Sequence, residues 1–293
     1  MKSSSGEHYI ALDHVRAVAA FMVFTWHFLH TTSGYPVSFQ GTPAFFPAAL
    51  LDEGHTGVAL FMTLSGYLFA KLLDGKRIMY HLFMYNRALR LLPLMLAVVL
   101  VVLAQKLAGD DLVPYIKGVV AGVVLPTLPN GGWSITVEFH FYLILPILMW
   151  AVRSRYPLGL AFLLSAVALR VGIFLIRGEV QSSAYWMIVG RFDQFLLGML
   201  AYQYRDFVRG RHATVVLALL GFALFYAWFD QAGGFYNLPT YPSPSPVWVI
   251  LPTVEGAAYG LAVEEPFDRR LVDHQVPAVR CQLYRLTLYH SAI

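Results

Sequence analysis

Apolar residues along this chain come in blocks of nearly 20, separated by short stretches that hold most of the charges, prolines and glycines. A helix rising 1.5 Å per residue needs such a block to cross a hydrocarbon core about 30 Å thick. The pattern predicts spans over 10–30, 56–73, 88–108, 134–152, 158–177, 184–203, 213–229 and 247–263. A further apolar piece, 112–126, is too short for a comfortable crossing. The Pro/Ser-rich segment 237–247 reads as a loop. Beyond Val263 the sequence turns polar, then starts an apolar stretch at Leu283 that stops at Ile293, so the last span is expected to lack its end. No repeat and no second domain are visible, and residues 1–293 read as a single membrane domain. The expected fold is all-α: a polytopic transmembrane bundle of about 8–9 spans plus a short re-entrant or interfacial helix.

Basic residues orient this bundle, because cytoplasmic loops carry an excess of Lys and Arg. With 112–126 not crossing and the N-terminus cytoplasmic, one set of loops and helix ends holds Lys71, Lys76, Arg77, Arg87 and Arg90, then Arg153 and Arg155, then Arg205, Arg209 and Arg211. The opposite loops, 31–55 and 230–246, contain no Lys or Arg. Tyr9–Leu29 carries Asp13 and Arg16 and lacks a small-x-small cleavage site, so it reads as a retained first span rather than a signal peptide.

Composition agrees. The 293 residues are 58% hydrophobic and 13% charged, where soluble domains carry about 25% charge, and the mean hydropathy is +0.59. One cysteine, Cys281, excludes an internal disulfide and a cysteine-rich metal site. The net charge of +4, with no basic stripe, gives no reason to expect a nucleic-acid partner.

Charges inside spans are costly and mark functional sites by default. Arg16 and His27 are 11 residues apart, which leaves them roughly 20° apart around a helix axis and about 16 Å apart along it. With Arg16 near the cytoplasmic edge, His27 is expected near mid-membrane. There it either accepts a proton or bonds a neighbouring helix. Asp13, three residues before Arg16, can pair with it. Arg87 and Arg90 share a face and either clamp phosphates or mark a cytoplasmic helix end. Glu138, behind Trp133 and Ser134, either acts on substrate or stabilises a helix N-terminus. His140 falls on a different face and looks interfacial. Arg191 and Asp193 are read as a structural pair, and Ser65–Gly66 as a site of close helix approach. Phosphate-loop, GxSxG and HExxH motifs are missing.

Four ordered segments carry a resemblance: YIALDHVRAVAAFMVFTWH, GHTGVALFMTLSGYL, NRALRLLP and WSITVEFHFYLILP, with GRFDQFLLGMLAY as a weaker fifth. Together they resemble acyltransferase family 3, integral membrane enzymes that O-acylate bacterial glycans. By motif matching, the resemblance implies that Arg16, His27 and Glu138 are catalytic, and that Arg87 and Arg90 bind the donor. Asp13, Ser65, Trp133 and Ser134 would support them. It also implies acyl-CoA, commonly acetyl-CoA, as donor substrate, with no permanently bound cofactor or metal. The acceptor would be a glycan or lipid-linked saccharide, and the location the bacterial inner membrane. His14 and Tyr67 depart from the family's usual Gly and Phe. Two other readings are a proton-coupled transporter, which intramembrane Arg, His and Glu also suit, and an inactive truncated family member.

Overall fold

A computed structural model describes residues 10–30, 46–76, 79–107, 112–128, 131–154, 157–208 and 210–264. The expected incomplete last span and Cys281 lie outside the described residues. In chain order the elements are α1 (Ile10–Leu29), α2 (Ala49–Asp52), a 3-10 turn (Gly54–Thr56), α3 (Gly57–Leu73), α4 (Tyr80–Lys106) and α5 (Leu112–Ala121). They continue with α6 (Trp133–Arg153), α7 (Leu158–Arg177), α8 (Gln181–Trp186), α9 (Ile188–Gln203), α10 (Arg205–Val208), α11 (His212–Gln231), α12 (Gly234–Asn237) and α13 (Val247–Glu264). The described residues are helical, with no strand among them.

Among the described residues, five helices are long and apolar enough to cross a membrane: Gly54–Leu73, Tyr80–Lys106, Trp133–Arg153, Leu158–Arg177 and His212–Gln231. The other expected spans are present as helices that carry charge or run shorter. Asp13 and Arg16 lie in α1, and α9 is 16 residues long, with Arg191 and Asp193 buried. The expected continuous span 184–203 is broken at Met187, where extended backbone separates α8 from α9. The helix expected over 88–108 starts earlier, at Tyr80. The segment 112–128 holds only the ten-residue α5, about 15 Å long and half a hydrocarbon core. The chain then turns back, with Thr127 Oγ1 donating to the Gly118 carbonyl. The turn itself lies on α6: Thr136 Oγ1 donates to the Gly122 carbonyl at 2.5 Å, and His140 Nε2 contacts the Val123 carbonyl at 3.0 Å.

Helices α3 and α9 form the central pair, with α13, α1, α6 and α7 around them. Small residues permit this closeness: a Cβ on Gly66 would overlap the Phe195 carbonyl, and one on Gly198 the Thr63 carbonyl. The close approach expected at Ser65–Gly66 is therefore α3 meeting α9. Buried charge is fully matched at Arg170. Its guanidinium donates to the Asp193 carboxylate at 2.8 Å, to the Val249 and Gly190 carbonyls at 2.7 Å and to Thr253 Oγ1 at 2.5 Å. This corrects the expected Arg191–Asp193 pair: residues two apart on a helix do not face each other. Arg191 instead donates to Gln194 Oε1 at 3.0 Å and to the Tyr185 carbonyl at 2.5 Å.

One end of the bundle gathers the C-termini of α3, α6 and α9, where Arg153 bonds the Leu73 carbonyl and Tyr202 bonds Asp74. The other end is an aromatic cluster in which Trp26, Tyr185, Phe235 and Trp248 surround His55.

Candidate functional site

A cavity of about 430 Å³ lies between α1, α3, α4, α6 and α9. Arg16, Ser65, Arg87, Arg90, Ser134 and Glu138 all line it. Each wall is a helical stripe: positions 87, 90 and 91 of α4, 134, 138 and 142 of α6, and 61, 65, 68 and 72 of α3. Spacings of three and four repeat one helix face every turn. That periodicity turns residues scattered from Arg16 to Phe195 into one lining.

Arg87 is half-buried among rings. Its guanidinium carbon lies 4.8 Å from the Phe69 ring centre, 5.4 Å from Phe83 and 5.9 Å from Tyr142. The ring quadrupole attracts the guanidinium, one of its N–H groups donates to the Tyr142 side chain, and the others remain for a ligand. Tyr142 OH donates to Glu138 Oε1, one helical turn away. Glu138 is thereby tethered inside the cavity. Arg16 pairs with Asp13 at 2.6 Å, both side chains 42% exposed, and Arg90 is exposed. Three guanidiniums against the carboxylates of Asp13 and Glu138 leave the region cationic, which suits an anion.

Helix α1 ends at Leu29, and His27 occupies its last turn. Its side chain is exposed and does not line the cavity. It follows the stripe that does: Arg16 and Val23 face the cavity, and His27 Nδ1 lies 2.8 Å from the Val23 carbonyl. A carbonyl oxygen only accepts, so Nδ1 carries a proton, and in the neutral ring the lone pair is then on Nε2. This is the tautomer a general base needs. The described contacts of His27 are with Val23 and with Trp26, whose ring it meets edge-on at 5.0 Å. Glu138 is not among them.

Trp133 also lies outside the cavity. It is buried against Tyr185 and Trp186, with Arg191 5.5 Å from its ring. Tyr142, by contrast, enters the site without having been singled out. The signal was in the sequence: it is four residues after Glu138, so the two share a face. Phe69 and Phe83 gave no such signal, since an aromatic in an apolar helix reads as core. Among the described residues, no group of three or more His, Cys, Asp or Glu is placed to hold a metal ion.

Residues 9–254 match the family model described as an acyltransferase domain. The chain belongs to this acyltransferase family. The match runs from the start of α1 into α13 and includes every residue lining the cavity. No match is found among curated proteins or solved structures. Family and fold together make the protein a helical membrane acyltransferase.

Proposed function

We propose that this acyltransferase moves an acyl group, acetyl in the simplest case, from acyl-CoA to a hydroxyl of a glycan or lipid-linked saccharide. The observation that carries the reading is the gathering of Arg16, Arg87 and Arg90 around one cavity. Guanidiniums grip phosphate oxygens with paired N–H donors. The diphosphate of CoA would lie at Arg87 and Arg90, with Glu138 and its partner Tyr142 limiting how far it enters. The pantetheine arm would run along the stripe of α1, about 16 Å from the level of Arg16 to that of His27.

At His27 the acceptor hydroxyl loses its proton to Nε2 as its oxygen attacks the thioester carbonyl. The carbon–sulfur bond breaks, and CoA leaves as a thiolate that takes up a proton. The products are an O-acyl ester and free CoA. The arginine-rich end would face the cytoplasm of a bacterial inner membrane, where acyl-CoA is made, and the His27 end the far side. This matches the absence of Lys and Arg from 31–55 and 230–246.

The test supplies radiolabelled acetyl-CoA to purified protein in membranes. His27→Ala should lower labelling of glycan about a hundredfold or more, the usual scale for losing a general base. Equal labelling by the variant would sink the assignment.

A further inference from the structure

The donor cavity has a neighbour. A second cavity, of about 550 Å³, opens at the end of the bundle where α3 and α6 finish and α4 begins. The same stripe of α4 lines both: Tyr80 and Phe83 face the second cavity, Arg87 and Arg90 the first. Offsets of three, seven and ten keep these residues on one side of the helix. Helix α6 repeats the pattern, with Ser134, Glu138 and Tyr142 on the first cavity and Leu145, Met149 and Arg153 on the second. Both cavities therefore lie along facing stripes of α4 and α6. Between them the Phe83 and Tyr142 rings meet edge to face, 5.6 Å apart.

The second cavity has its own chemistry. Lys76 and Arg153 supply positive charge, no carboxylate is among its lining residues, and Tyr80, Phe83 and Trp150 provide ring faces. Tyr80 is held in place, its hydroxyl donating to the Tyr142 carbonyl at 2.8 Å. Seven residues of α4 separate Tyr80 from Arg87, about 10 Å along the axis. The ring faces of the second cavity thus lie about a nucleoside's length from the Arg87 guanidinium. CoA has that layout: the diphosphate beside pantetheine, then the ribose with its 3′-phosphate, then the adenine.

Resting on the donor reading above, we propose that Lys76, with Arg153, receives the ribose 3′-phosphate of CoA. The adenine then lies against Tyr80 and Trp150, and the Phe83–Tyr142 ring pair separates nucleotide from pantetheine. Lys76 is a specificity residue: it distinguishes CoA from dephospho-CoA, which lacks only that phosphate. Arg153 is a poorer probe, because its guanidinium also bonds the Leu73 carbonyl at 2.5 Å and its loss would disturb the end of α3.

The experiment measures the affinity of the full chain in lipid nanodiscs for CoA and for dephospho-CoA. The unaltered protein should prefer CoA. Lys76→Ala should weaken CoA roughly fivefold, the scale of one exposed charge contact, and leave dephospho-CoA unchanged. Lys76→Arg should restore the preference. Arg211→Ala, which removes a cation from the start of α11 outside both cavities, should keep it. Equal affinity for the two ligands in the unaltered chain would overturn the inference, as would equal weakening of both, or of neither, by Lys76→Ala. Loss of the preference in Arg211→Ala would overturn it too, by showing a general charge effect. In each of these cases CoA still binds and the donor reading stands. Absence of binding by either ligand in the unaltered chain would remove the donor reading itself.

Discussion

Arg170 and Arg87 are both arginines within apolar helices, yet their surroundings differ. Arg170, in the packed region where α7, α9 and α13 meet, is fully buried, and its N–H groups meet two carbonyls, a carboxylate and a hydroxyl. Arg87, in the cavity that α4 and α6 line, rests on the faces of Phe69, Phe83 and Tyr142. A charge whose partners are all fixed holds helices together. A charge leaning on ring faces, with one hydrogen bond to a neighbouring tyrosine, is oriented while most of its donors stay available. Intramembrane charge in this protein thus has two uses, and the number of fixed partners tells them apart.

That comparison can be broken at its strongest point first. Arg170→Met should cost about 3–5 kcal/mol, because it strands the Asp193 carboxylate without its cation. Thermal unfolding in detergent should show a large fall or a failure to fold. An unchanged melting temperature would mean that the matched contacts carry little. Gly66→Ala forces a Cβ onto the Phe195 carbonyl. Overpacking of this kind costs about 1–3 kcal/mol, and the loss should appear in the same melt. Arg87→Ala should invert the pattern: CoA affinity about tenfold lower, near 1.4 kcal/mol, with a much smaller change in melting temperature than Arg170→Met. A variant that melts early and still binds CoA normally would return Arg87 to a structural role. Tyr80→Phe should have the smallest effect. Pro146 has no N–H to give the Tyr142 carbonyl, and the Tyr80 hydroxyl takes that place. Losing one such bond costs about 1 kcal/mol, measurable as a small drop in melting temperature.

Much of this arrangement was readable from sequence because helices impose a period. Arg16, Arg87, Arg90, Glu138, Ser65 and Ser134 stood out as polar groups at helical spacing within apolar runs, and all six line one cavity. Trp133 belonged to the same motif as Ser134, but one residue turns a side chain by 100°, and Trp133 points into the aromatic packing instead. The Arg191–Asp193 pairing failed for a related reason: proximity in sequence is not proximity around a helix. Arg170 drew no notice, since a lone arginine in an apolar run reads as a helix end until its partners on α9 and α13 are known. The aromatic cluster around His55 was equally hidden. Glu53 lies 3.0 Å from His55 Nε2 and accepts the Phe235 backbone N–H at 3.2 Å, a contact that joins segments 182 residues apart.

By itself, the sequence determined that the chain is helical, membrane-embedded and built from acyltransferase motifs, because hydrophobic block length and helical period are local properties. Tertiary structure decided which charges meet a fixed partner and which remain available. It placed His27 at the end of α1, and it set two cavities along facing stripes of α4 and α6. Those outcomes depend on how helices far apart in sequence pack against one another, and single-chain periodicity gives each helix a face without saying what that face will meet.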